Sequence, residues 1–237
     1  NIDRLYIKPT YLGLDLEYYK SGNISSATFN GDSISNSEGR RLNATKCYVD
    51  VATRKVVCDN EELKQAAQEL LDTTLDTTKY SVRDNSKEIR RSIQEVKDEI
   101  KSALPTAKDV TEDGNTLTFT MPNGSKIVVD VQNQIALTAE QLSQAKKDHN
   151  IDGNVVVEGY AQKYGKDAYI ALSQGSRKGT GYHEVYHVAE DAVLNDKEKA
   201  ALRKKYPNEE MRADKCAEWV EARKHGKGTL FGKLFRK

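Results

Sequence analysis

Two histidines four positions apart, with a glutamate beside the first, stand in Gly181-Tyr182-His183-Glu184-Val185-Tyr186-His187-Val188-Ala189. The surrounding pattern reads as helix. Four residues at 3.6 per turn return to nearly the same side, so His183 and His187 share one helical face. Two imidazoles on one face can hold one zinc ion. Glu184 then sits next to the metal, where it can take a proton from water. That is the apparatus for hydrolysing a peptide bond.

A catalytic zinc needs three protein ligands and one open position. The third is expected from the helix that follows a connecting segment, and Glu210-Met211-Arg212-Ala213-Asp214 offers it. Glu210 is the expected ligand, with the adjacent Glu209 as its rival. Asp191, one turn past His187, is a poorer rival because its short side chain lies on the same helix. Asp214, one turn after Glu210, is placed to accept a hydrogen bond from the second nitrogen of a ligand histidine and so fix its tautomer. The plain alternative makes Asp214 the partner of a nearby Lys or Arg, and Glu210 one charge on a solvated acidic face. Ala213 is small enough to let two helices approach closely. His149 ends an amphipathic helix beside Lys146 and Lys147, and reads as a partner of the helix dipole rather than as a ligand.

The elements that must position these residues follow from periodicity and caps. Thr138-Ala139-Glu140-Gln141 is a capping box opening a helix to about His149, and Asn195 with Glu198 forms another. Asn208 caps the last helix, which runs to about Lys224. Leu117, Phe119 and Met121 alternate, Pro122-Asn123-Gly124 turns, and Ile127, Val129 and Val131 alternate back: a β-hairpin. Val155 to Tyr160 and Ala168 to Leu172 read as strands. Upstream, Ser86 is the expected cap of a helix whose seam is Ile89, Ile93, Val96, Ile100 and Leu104, ended by Pro105. Thr73 to Asp84 reads as a polar linker, and a helix is expected from Asn60 to Asp72. Residues 1–60 read as strands and turns. The expected fold is α+β, with a β-rich module plus two helices over residues 1–105 and a small zinc-peptidase domain over residues 106–237.

The His183–His187 helix with its downstream Glu210-x-x-Ala213-Asp214 resembles the gluzincin metallopeptidases, which carry His-Glu-x-x-His on one helix and a ligand Glu on a later one. The likeness spans roughly residues 150–224. It is closest to the small metallopeptidase domains of phages and integrative elements. Lys79 to Asp84 is similar to linkers in the multidomain proteins of such elements. The resemblance implies a zincin-like fold and a Zn²⁺ cofactor held by His183, His187 and Glu210. It implies Glu184 as general base and later proton donor, and a protein or peptide substrate. It also implies a strand just upstream, here Ala168 to Leu172, that rims the cleft and pairs with extended substrate. A Tyr or His that stabilises the tetrahedral oxyanion is expected, with Tyr182, Tyr206 and His225 as candidates.

Bulk properties narrow the alternatives. Lys and Arg total 37 against 36 Asp and Glu, which leaves a net charge of +1 and gives no support to nucleic-acid binding. With a mean hydropathy of −0.74 and no long apolar run, neither a membrane span nor a signal peptide is visible, and a soluble cytoplasmic protein is expected. The polar start at Asn1 reads as a processed product or an excised part of a longer protein. Cys47 and Cys58 flank a hairpin with an expected two-residue turn at Ala52-Thr53. Reduced thiols are the expected state there, a disulfide the alternative, and Cys216 is left over. The basic, aromatic tail from His225 to Lys237 reads as a packing helix or the stump of a further domain. Three other readings remain open. They are a zinc-binding module without hydrolysis, an effector protease delivered to another cell, and an N-terminal pro-segment that covers the cleft.

Overall fold

The computed structural model describes residues 4–6, 14–19, 24–29, 32–34, 47–73, 79–164 and 167–221. The fold is α+β. The chain divides into two compact units, one of Asn1–Leu75 with Lys163–Tyr169, the other of Asp76–Gln162 with Ile170–Lys237.

Unit 1 opens with an antiparallel meander of β1 (Arg4–Tyr6), β2 (Leu14–Tyr19), β3 (Ile24–Phe29) and β4 (Asp32–Ile34). A hairpin of β5 (Cys47–Asp50) and β6 (Lys55–Cys58) follows, then α1 (Glu61–Thr73). The hairpin turn spans Val51 to Arg54 rather than two residues, because the Asp50 carboxylate accepts hydrogen bonds from the amides of Ala52 and Thr53 and folds the chain around itself. The expected register survives: Cys47 pairs with Cys58 across the strands, and Cys58 is a free thiol. Val49, Val56, Leu63 and Ala67 form the buried centre.

Unit 2 is built on a six-stranded sheet. Its strands are β7 (Ser81–Asp84), β8 (Asp109–Asp113), β9 (Thr116–Thr120), β10 (Lys126–Gln132), β11 (Val155–Tyr164) and β12 (Asp167–Ser173), in the order β7-β11-β12-β10-β9-β8. Helix α2 (Ile93–Ala103) lies between β7 and β8, and α3 (Ala139–Asp148) between β10 and β11. Then α4 (Thr180–Val193), α5 (Asp196–Lys205) and α6 (Glu209–Glu221) complete the chain. Leu117, Phe119, Ile127, Val129, Ile170 and Leu172 bury the sheet, and Val96, Ile100, Val185 and Tyr186 bury the helices. No helix among the described residues is long and apolar enough to cross a membrane.

Several sequence expectations shift here. The segment Thr73 to Asp84 is not all linker: Ser81–Asp84 is β7, the edge strand, paired antiparallel with β11. The Ala168–Leu172 strand is not a rim. It lies inside β12, between β11 and β10. Helix α2 starts after Ser92, not Ser86, because Ser92 and Glu95 make a full capping box. Residues 86–91 are held out of the helix by two ties, the Arg91 amide to the Gln174 carbonyl and the Arg83 guanidinium to the Lys87 carbonyl. Residues 76–105, read as part of the N-terminal module, belong to unit 2. The tail beyond Glu221, His225 included, lies outside the described residues.

Candidate metal centre

Helix α4 has no capping side chain of its own, since Gly179 stands at its N-cap. The cap comes from α2. The buried Glu99 carboxylate accepts from the amides of Gly179 (3.2 Å) and Gly181 (2.8 Å) and from the Arg91 guanidinium (2.6 Å). The approach is so close that a Cβ on Gly181 would stand 2.7 Å from Glu99 Oε1. This contact sits at the helix start, where Thr180 precedes His183 by three residues.

The rotation of α6 against α4 is fixed by a buried arginine. Arg212 donates to the Tyr186 hydroxyl (3.2 Å), to Glu190 Oε2 (3.2 Å from Nη2), and to the carbonyls of Tyr206 and Pro207 (both 3.0 Å). Ala213 is fully buried beside it, as its size suggested. Nothing in the spacing marked Arg212. Its signal was that a charged residue stood next to the alanine expected at a helix contact.

These constraints bring His183, His187 and Glu210 together. The two Nε2 atoms are 3.1 Å apart. Glu210 Oε2 lies 3.3 Å from His183 Nε2, and Glu210 Oε1 lies 3.4 Å from His187 Nε2. The outer nitrogens are held as well. His183 Nδ1 meets Asp214 Oδ1 at 3.0 Å, and His187 Nδ1 meets Glu209 Oε1 at 2.9 Å. Asp214, expected to accept from the second nitrogen of a ligand histidine, stands at His183 Nδ1. Glu209, expected only as a rival ligand, stands at His187 Nδ1.

An ionised carboxylate only accepts, so each Nδ1 donates, and each Nε2, when it gives up its own proton, presents a lone pair. Two lone pairs and the Glu210 carboxylate then face one another, an arrangement that suits a cation. Tetrahedral coordination with bonds of about 2.0–2.1 Å separates its ligand atoms by about 3.3–3.4 Å. The Nε2–Nε2 distance of 3.1 Å is close to that, one ligand atom from each of the three residues lies within 4.8 Å of the others, and the group can hold a metal ion. Without a metal, protons meet the same need. Burial opposes a charged ring, but the Glu209 and Glu210 carboxylates outweigh it and lift the His187 pKa to about 10. His183 is also raised, against burial, by Glu210 and Glu184. Burial pushes Glu210 upward, yet the two histidines hold it well below the usual carboxylate range.

Glu184 is completely buried. Its Oε1 accepts from the Ser81 hydroxyl at 2.5 Å, and its Oε2 has no hydrogen-bond partner. Gly159 of β11 gives it room: a Cβ there would stand 3.2 Å from Glu184 Cγ. Burial raises the Glu184 pKa, and the two histidines and Ser81 pull against that rise. A cleft of about 910 Å³ opens beside the group, lined by Tyr80, by Ser81 and Val82 of the edge strand, and by His149, Arg177 and His183 among others.

Of the expected oxyanion donors, Tyr182 is hydrogen-bonded to Ser102 (2.6 Å), and Tyr206 has Lys205 stacked on its ring. Neither lines the cleft. His149 does, at the C-cap of α3, outside the histidine–carboxylate group. Asp191 has no described side chain. Comparison with protein families, with curated proteins and with solved structures finds no match.

Proposed function

We propose that this chain is a zinc-dependent metallopeptidase with a zincin-like fold, similar to the gluzincins. The observation that carries the reading is the convergence of His183, His187 and Glu210, whose ligand atoms lie within 4.8 Å of one another, with a carboxylate behind each imidazole. The donor set, two nitrogens and one oxygen, suits Zn²⁺ in an open catalytic site. A zinc ion held there supplies Lewis acidity and makes water acidic enough to ionise near neutral pH.

The chain's own residues do the remaining work. Asp214 and Glu209 keep the Nδ1 protons in place, so both Nε2 atoms stay available as ligands. Glu184 takes a proton from water at Oε2, its unpartnered oxygen, and returns it to the leaving amine. Ser81 holds Oε1 and so fixes which oxygen is free. A raised carboxyl pKa suits that exchange, because acid and base forms then both lie within reach. Ser81 and Val82 of the edge strand line the cleft, so an extended substrate can add to β7.

A second reading, a metal-holding module without hydrolysis, draws support from the complete burial of Glu184. One experiment separates the two: metal content and cleavage of a casein or quenched-peptide substrate, for the unsubstituted chain and for Glu184→Gln. Hydrolysis that requires metal and is lost in Glu184→Gln with metal retained supports the peptidase. Stoichiometric metal with no hydrolysis in either protein supports the module. Absence of metal from both ends the proposal.

A further inference from the structure

A second charged device stands in the wall of the same cleft. Glu158, on β11, is completely buried, and two guanidiniums share its carboxylate. Glu158 Oε1 accepts from the Arg177 amide at 2.8 Å, and Glu158 Oε2 accepts from Arg177 Nε at 2.9 Å and Nη2 at 2.7 Å. Arg83 Nε lies 3.4 Å from Oε1 as an ion pair, while the Arg83 donors, Nε included, go to the carbonyls of Gly175, Asp84 and Lys87. Two guanidiniums against one carboxylate leave the cluster with one positive charge in excess.

That excess is presented at Arg177. Arg83 is almost buried, whereas the Arg177 side chain is 59% exposed. Arg177 and the following Lys178 both line the cleft shared with His183. Among the described residues, Arg177 Nη1 has no partner. Asp148, Glu210, Asp214 and Glu218 line the cleft too; of these Asp214 acts on Arg177, and its Oδ1 accepts from His183 Nδ1. An exposed ion pair contributes little stability, and burying a carboxylate is unfavourable. What the arrangement does achieve is a guanidinium fork locked in one orientation, which loses little freedom when it binds and matches a carboxylate in shape.

We propose that the cleft selects peptides bearing a carboxylate close to the scissile bond, and that Arg177, braced by Glu158, is the residue that reads it. The inference rests on the metallopeptidase reading for its reaction, but the anion preference can be measured without turnover. The carboxylate is either an Asp or Glu side chain or a free C-terminus.

The test uses the zinc-loaded full chain carrying Glu184→Gln, with fluorescein-labelled peptides read by anisotropy. Four matched peptides contain Glu or Gln at one central position, each with a free-acid or an amidated C-terminus. The Glu peptides bind about tenfold tighter than the Gln peptides if a side chain is read, and the free acids tighter than the amides if the terminus is read. Either preference collapses in Arg177→Ala, and Arg177→Glu shifts it toward a matched Lys peptide. Should Arg177→Ala lose its fold or its metal, Arg177→Lys keeps a cation on Glu158 without the fork, and the preference falls to less than threefold. Equal binding of all four peptides overturns the proposal, as does a preference that survives in a folded Arg177 variant. A clear preference in Glu184→Gln, together with no hydrolysis by the unsubstituted chain, overturns the peptidase reading and leaves the anion site standing.

Discussion

Asp214 Oδ1 stands 3.0 Å from His183 Nδ1, on the side of the ring away from Glu210. Glu209 does the same for His187 at 2.9 Å. Each imidazole is thus clamped between a carboxylate that holds its proton and a point that needs its lone pair. Supporting carboxylates of this kind typically change metal affinity by about 10–100-fold when removed. Asp214→Asn and Glu209→Gln are each expected to weaken zinc binding by about that factor, measured by competition with a chromophoric chelator. Loss of a proposed ligand, in His183→Ala or Glu210→Ala, is expected to exceed either. A Glu209→Gln loss as large as that of Glu210→Ala would reverse the two assignments.

Proton and metal compete for the same nitrogens. The His187 pKa in the folded metal-free chain is about 10, above the ordinary histidine value near 6.5. A raised folded pKa means the proton stabilises the fold fully below about pH 6.5, and that stabilisation is lost as pH rises through about 10. Metal uptake at pH 7 must therefore expel protons. Calorimetric titrations in buffers of different ionisation enthalpy should show release of at least one proton per zinc. Affinity should rise from pH 6 to pH 8. Uptake with no buffer dependence would contradict the protonated cage.

Glu184 carries the opposite sign of stability. Burial raises its carboxyl pKa, so the folded chain holds its proton more tightly than the unfolded one. Ionising it at neutral pH is unfavourable to the fold. Glu184→Gln removes that charge with little change in shape. The metal-free variant should be more stable than the unsubstituted chain at pH 7.5, on the order of 1 kcal/mol in denaturant unfolding. The gain should shrink toward pH 5, where the native carboxyl is increasingly protonated. Hydrolysis, by contrast, should vanish.

The helices that carry the candidate site were legible in the sequence because their signals are local. His183 and His187 are one helical turn apart, and the caps at Thr138 and Asn195 act within four residues. The edge strand was not legible. Ser81-Val82-Arg83-Asp84 has too few apolar residues for a period, and it becomes a strand only by pairing with β11. Strand β8 is exposed at every position, so no alternation marks it. Spacing alone also could not assign Glu209 and Glu210, adjacent glutamates in the first turn of α6. The Arg212 network decides which of them faces the histidine pair.

The same dependence on distant partners bears on the role of residues 76–105. A removable pro-segment would leave the metal site intact when cut away near Pro105. Ser81 and Glu99 lie before that point, and they hold Glu184 and the start of α4. A chain beginning at residue 106 is therefore expected to lose metal binding rather than gain activity. Finer changes in the full chain test the reason. Glu99→Ala leaves the Arg91 guanidinium and two helix amides without their carboxylate, and should lower the stability of the fold by about 3–5 kcal/mol. Gly181→Ala drives a methyl group to 2.7 Å from Glu99 Oε1 and 3.0 Å from Ile100 Cδ1. It should be destabilising by about 1–3 kcal/mol. Because His183 follows two residues later, Gly181→Ala should also perturb the visible absorption of the cobalt-substituted site. Glu99→Gln, which keeps an oxygen for the amides, should leave that spectrum closer to the unsubstituted one. An unchanged cobalt spectrum in a folded Gly181→Ala protein would show that α4 holds its histidines in place without help from α2.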